Sequence, residues 1–147
     1  MRTRDDMIPD IELLEKFSRK FALGSERGKG SDHFLRFKII GCKLTIEQAK
    51  VIAEVAEKYG RGCLEITTRG NIQVHWIRDE DALKIFAKMD EVGLTMDMCG
   101  QAFPIPQYGD VRNMVTCPVT RLQKGELIDT YPIVKKLSEL FQEDPNT

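Results

Sequence analysis

Leu64-Glu65-Ile66-Thr67-Thr68-Arg69-Gly70-Asn71-Ile72-Gln73-Val74-His75-Trp76 is the stretch that leaves the chain the fewest choices. Two β-type runs flank a Thr-Arg-Gly-Asn turn, and Gly70 or Asn71 tolerates the positive φ that such a turn often needs. Past the turn Ile72, Val74 and Trp76 alternate with Asn71, Gln73 and His75. One face of this hairpin therefore wants a core. The other is a row of hydrogen-bonding groups with Arg69 at its rim.

The flanking segments supply the core. Ile11, Leu14, Phe17 and Phe21 recur at helical spacing behind Pro9 and Asp10, which predicts a helix over Asp10–Leu23. Gly24 to Asp32 is polar and glycine-rich and reads as a loop whose glycines match no phosphate-binding pattern. His33 to Ile40 alternates as a strand, with Leu35, Phe37 and Ile39 on one side. Thr45-Ile46-Glu47-Gln48 is a capping box, opening a helix that runs to Tyr59 and stops at Gly60. Its buried stripe is Ala49, Ile52, Val55, Ala56 and Tyr59. A second helix is expected over Glu80–Val92, ended by Gly93.

Met96 to Asp110 reads as an irregular connection, and Val111 to Thr116 as a last strand stopped by Cys117-Pro118. The order β-α-β-β-α-β is the split βαβ or ferredoxin-like arrangement, an α+β fold with a four-stranded antiparallel sheet and both helices on one face. A C-terminal helix is expected from Thr130 to Gln142, its Ile133, Val134, Leu137, Leu140 and Phe141 needing a surface to pack on. The expected parts are thus 1–32, an N-terminal helix and loop; 33–117, the ferredoxin-like domain; and 118–147, the start of a following domain.

Composition narrows the function classes. At 147 residues, 41% of them hydrophobic, the chain has room for one sizeable core. A net charge of −1 exerts no global pull on nucleic acid or anionic lipid, so any anion site must arise from local placement of cations. No window approaches a membrane span and the first residues lead into no signal-peptide core, so a cytoplasmic location is expected. Cys42, Cys63, Cys99 and Cys117 are far apart and lack metal-ligand spacing, so separate reduced thiols and no metal site are expected.

If Leu35, Phe37, Ile72, Val74 and Trp76 face the helices, then Arg36 and Lys38 share the opposite face with Gln73 and His75. Arg112 on the last strand joins them if Val111, Asn113 and Val115 point at the helices, a register that buries Asn113. Thr67 and Arg69 complete the group. Guanidinium, ammonium, imidazole and amide groups gathered this way suit an anion with several oxygens. A sheet that merely shows water its polar side fits the same pattern. Trp76 is expected in the core, and Cys63 and Cys117 are expected half-buried.

The motifs resemble a family. Leu64-x-x-Thr67-Thr68-Arg69-x-Asn71-Ile72-Gln73-Val74-His75-Trp76 follows Tyr59-Gly60-x-Gly62 and precedes Gly93-Leu94-Thr95 and Val111-Arg112-Asn113-Met114-Val115-x-Cys117-Pro118. Over about residues 33–118 this is similar to the ferredoxin-like half-domain of the siroheme-dependent nitrite and sulfite reductases. The resemblance implies that the polar face supports siroheme, an iron tetrapyrrole bearing carboxylates. It implies that Arg36 and Arg112 are the catalytic pair, contacting the sulfite or nitrite oxyanion or the cofactor. Lys38, Thr67, Arg69, Asn71, Gln73, His75 and Asn113 become the expected cofactor-binding set. Further implied are a second half-domain or a homodimer mate and an electron donor such as ferredoxin.

The chain departs from the family pattern twice. Gly70 stands where a glutamine is common, and the cysteine spacing that holds the family's [4Fe–4S] cluster is absent. A cluster is therefore expected only in a complete protein, not on this chain. A precorrin-3B synthase-like enzyme also acts on a polycarboxylate tetrapyrrole and is the related alternative. The alternative of another class is an RRM-like RNA-binding module, disfavoured because Phe34 is the lone aromatic on the face and no RNP-like run occurs.

Overall fold

The computed structural model describes residues 21–25, 33–96, 101–103 and 112–143. Its elements are β1 (Leu23–Ser25), β2 (His33–Lys38), a short 3-10 turn (Ile40–Cys42), α1 (Ile46–Tyr59), β3 (Glu65–Ile66), β4 (Ile72–Ile77), α2 (Asp79–Glu91), β5 (Thr95–Met96), β6 (Gln101–Phe103) and α3 (Tyr131–Glu143). The expected N-terminal helix over residues 10–20 and loop residues 26–32 lie outside the described residues, as does Cys99.

Helix α1 begins where the sequence says it must. The Thr45 hydroxyl accepts from the Gln48 N–H at 3.2 Å while the Gln48 side chain accepts from the Thr45 N–H at 3.1 Å. At its other end, a Cβ on Gly60 would collide with Val74 Cγ1, so glycine both stops the helix and lets its end settle on β4. Three acidic residues, Asp79, Glu80 and Asp81, occupy the first turn of α2, where the helix dipole favours them.

Strand β2 is the centre of an antiparallel sheet in the order β3-β4-β2-β1-β6. On the edge of β2 away from β4, β1 pairs with the His33–Phe34 end and β5 with the Phe37–Lys38 end. Leu35, Phe37, Val74 and Ile77 send fully buried side chains into a core with Ile52 and Val55 of α1 and Ile85, Phe86 and Met89 of α2. With α1 joining β2 to β3 and α2 joining β4 to β5, the expected ferredoxin-like βαββαβ fold is the observed one. Across the helix layer the Lys88 ammonium lies 2.6 Å from Glu54, holding that carboxyl below its usual range and being held above the usual lysine range itself. The depressed carboxyl loses its contribution as pH falls through its folded pKa, and the raised ammonium loses its own as pH rises through its folded pKa. Both groups are exposed, so this tie adds little at neutral pH.

Three expectations are corrected. The fourth ferredoxin-like strand is β5, not Val111–Thr116: Met96 pairs with Phe37 and is buried, whereas residues 112–117 join no ladder. Two residues are too few to display a period of two, so β5 left no pattern to read. Instead residues 112–117 form a strap whose Met114 carbonyl accepts from the Gly41 N–H at 3.0 Å. The helix expected over Asp10–Leu23 does not extend to Leu23, and the loop expected from Gly24 does not begin there, because Leu23–Ser25 is a strand. Phe21, whose ring stacks on Phe86 at 5.3 Å, and Leu23 are both fully buried two residues apart. The supposed irregular connection begins with Met96 in β5 and also contains β6.

Expected exposures differ in places. Ala49, Cys63 and Cys117 are exposed, and Val115 is 49% exposed. Cys42, Cys63 and Cys117 are free thiols. The C-terminal helix forms as expected, with Ile133, Leu137, Leu140 and Phe141 on an exposed apolar side.

Candidate functional site

On the sheet face away from the helices, Arg36 and Gln73 are direct cross-strand partners, and Glu65 pairs with Gln73 from the other side. Period two then places Phe34 and His75 beside them. The His75 Nε2 lies 3.4 Å from a Glu65 carboxylate oxygen. Arg36, Gln73 and His75 are half-buried, and within them Arg36 Nε and His75 Nε2 are shut off from solvent.

A bulge extends this face. His33 pairs with Ile77 while Leu35 pairs with Val74, so one extra residue of β4 is accommodated opposite Phe34. That slip moves Trp76 out of the core, where it was expected, and delivers Ile77 to it fully buried. Trp76 takes φ +64°, a left-handed conformation that glycine usually fills in such bulges. The outcome is a run of adjoining groups, the rings tilted 39° and 60° to one another. The Arg36 guanidinium lies 5.2 Å from the Phe34 ring, Phe34 lies 6.2 Å from His75, His75 lies 5.8 Å from Trp76, and the Arg61 guanidinium covers Trp76 at 4.8 Å. A cation thus caps each end of a three-ring ladder.

Strain and packing nearly offset each other at Trp76. Trp76→Gly should change unfolding free energy by no more than about 1–2 kcal/mol, because relief of a left-handed non-glycine residue is of that size and the ring is not fully buried. Denaturant unfolding checks it. A loss above about 3 kcal/mol would mark a core tryptophan instead.

Thr67, Asn71 and Asn113 hold the frame. Asn71 Oδ1 accepts from the Ile39 N–H at 3.1 Å, and the Thr67 hydroxyl accepts from the Asn71 N–H at 3.1 Å. Gly70 turns at φ +70° with its N–H donating to the Thr67 carbonyl. Asn113 is fully buried and its amide donates to the Ile39 carbonyl at 2.8 Å and the Arg69 carbonyl at 3.1 Å. Arg69 answers by donating to the Asn113 carbonyl at 3.1 Å. This network locks the strap to the β3–β4 turn; Arg112, one residue before Asn113, is exposed on that strap, and because residues 112–117 are not a strand of the sheet, alternation no longer places Arg112 on the polar face as expected.

The expected site residues therefore divide. Arg36, Gln73 and His75 share the face, Arg69 lies on the β3–β4 turn and Arg112 on the strap, and Thr67, Asn71 and Asn113 fix that turn and strap. Lys38 stands apart, 4% exposed and lining a cavity on the side of β5, α1 and α3. Glu65, Arg61 and the bulged Trp76 were missed. Glu65 shows itself only through its pairing, and no glycine in β4 signals the bulge.

The donor set suits an anion with several carboxylates, because guanidinium forks pair with carboxylate oxygens. Among the described residues no group of three His, Cys, Asp or Glu side chains is placed to hold a metal ion, and no helix is long and apolar enough to cross a membrane.

Comparison with known proteins follows the same lines. The profile of the nitrite/sulfite reductase ferredoxin-like half domain matches residues 26–92. A ferredoxin–nitrite reductase of Leptolyngbya laminosa is 39% identical over 108 residues, covering 73% of this chain and 20% of its own. An assimilatory ferredoxin-dependent nitrite reductase of Haloferax mediterranei is 29% identical over 95% of this chain and 25% of its own length. The chain thus spans a quarter or less of these curated relatives. The solved NirA protein of Mycobacterium tuberculosis shares the fold over 96% of this chain and 27% of its own, at a TM-score of 0.70 and 21% identity.

Proposed function

The chain belongs to the nitrite/sulfite reductase family through its ferredoxin-like half domain, and on that premise we propose that its polar sheet face binds siroheme in a nitrite reductase supplied by ferredoxin. The observation that carries this is the grouping of Arg36, Gln73 and His75 on one face, with the Phe34, His75 and Trp76 rings beside them and the Arg69 turn tied through Asn113 to the strap that bears Arg112. Nitrite as substrate and ferredoxin as donor rest on the names of the relatives. When bound, siroheme supplies the iron at which the oxyanion is reduced.

The residues of this chain have distinct tasks. Arg69 and Arg112 pair with carboxylates at the macrocycle's edge, and Arg36 presents its fork to an anionic group on the face. His75 stands on the same face, its Nε2 3.4 Å from Glu65. Asn71 and Asn113 act as positioning residues by fixing the turn and strap that bear the two arginines.

Titration of the chain with siroheme should give a Soret shift. Gln73→Glu keeps the shape but sets a carboxylate opposite Arg36, so affinity should fall about tenfold, roughly 1.4 kcal/mol, with unfolding unchanged. Wild-type affinity in that variant, or no shift with the wild type, would overturn the assignment of this face.

A further inference from the structure

We propose that the exposed apolar side of α3 is where a second copy of this chain docks, the two helices lying antiparallel about a two-fold axis at Leu137. Ile133, Leu137 and Leu140 recur at i, i+4 and i+7, which puts them in one stripe. They are 54%, 43% and 51% exposed. The opposite side of the helix is the one that holds it to the body: Ser138 is buried, Tyr131 and Val134 are half-buried, and the Lys43 ammonium lies 4.5 Å from the centre of the Tyr131 ring. Leu127 and Ile128, both exposed, add apolar surface just ahead of the first turn. A contiguous apolar strip of this kind, unlike scattered single side chains, marks a contact surface.

The stripe is its own complement. In an antiparallel pair centred on Leu137, that residue meets the partner's Leu137, and Ile133 meets the partner's Leu140, as a two-fold interface requires. Charge agrees with this direction. Lys136 and Glu139 stand three residues apart beside the stripe, so reversing one helix brings each Lys136 to the partner's Glu139. A parallel pair would set lysine by lysine and glutamate by glutamate.

Within one chain these charges are poorly served. Lys135 and Lys136 reach Glu139 only at 3.9 and 3.8 Å. Lysine precedes glutamate, the weaker order for a helical pair, and both signs run against the helix dipole. An antiparallel neighbour offers each Lys136 the C-terminal half of the other helix. The area sets the strength: α3 has 13 residues, and a helix about 20 Å long and about 10–12 Å wide covers less than the roughly 800 Å² per partner of a standard interface. A weak dimer, with Kd of about 10–100 µM, is expected.

Sedimentation velocity on the full chain between about 5 and 500 µM should show a monomer passing into a dimer. Leu137→Lys sets two like charges together at the axis and should weaken assembly at least about tenfold, with unfolding unchanged because the residue is exposed. Lys136→Glu should weaken it about fivefold, and adding Glu139→Lys should restore it, a rescue that mere damage to the helix would not give. Arg36→Ala should leave the dimer as it is, so this outcome is independent of the siroheme titration. A monomer at every concentration, a dimer untouched by Leu137→Lys, or a charge exchange that restores nothing would overturn the proposal. A monomer that floats with phosphatidylcholine vesicles would overturn it too, giving the strip to a lipid surface.

Discussion

Arg36→Ala should weaken siroheme binding between about tenfold and a hundredfold, as expected when a charge-assisted hydrogen bond of roughly 1.5–3 kcal/mol is removed. The side chain is half-buried, paired across the ladder with Gln73 and laid over the Phe34 ring at 5.2 Å, so its fork is aimed before any ligand arrives. Preorganisation of this kind keeps the ordering cost out of the binding step. Arg36→Lys retains the charge but loses the fork and much of the stacking, and should fall between wild type and alanine. The Soret titration reads all three. Arg36 lies outside the core, so melting should move by only a few degrees, and alanine binding as tightly as wild type would remove Arg36 from the site.

Asn113→Ala should detach the strap without unfolding the core. The change orphans the buried Ile39 carbonyl, at roughly 1–3 kcal/mol if the strap stays in place, and the part-buried Arg69 carbonyl at less. Detachment limits that loss by letting water reach both groups. The core of Leu35, Phe37, Val74, Ile85 and Phe86 takes nothing from residues 112–117 and should survive. Hydrogen exchange at the Gly41 amide, which donates to the Met114 carbonyl, is the sensitive readout and should speed up at least tenfold. Unchanged protection at Gly41 would show that the strap is held by something other than Asn113. The siroheme reading adds a second consequence: with Arg69 and Arg112 no longer held together, affinity should fall even though neither arginine was altered.

Much of the site was legible because alternation along two neighbouring strands suffices to bring Arg36, Gln73 and His75 to one face. Lys38 follows the same alternation at the last position of β2, is 4% exposed and also lines the cavity on the side of β5, α1 and α3. Asn71 and Asn113 resembled ligands by type, but their amides satisfy backbone groups that the strap would otherwise bury unpaired.

Local chemistry decided what the sequence alone could determine: the capping box and glycine stop of α1, the Gly70 turn, the periods of β2, β4 and α2, and from them the ferredoxin-like order. Each of those signals lies within a few residues of what it controls. Only the tertiary structure decided the bulge that turns Trp76 from core to ladder, the choice of Thr95–Met96 as the fourth strand, and the strap whose Asn113 reaches Ile39 across 74 positions. Those outcomes depend on which distant backbone groups need partners once the core has closed, and no short window of sequence contains that demand.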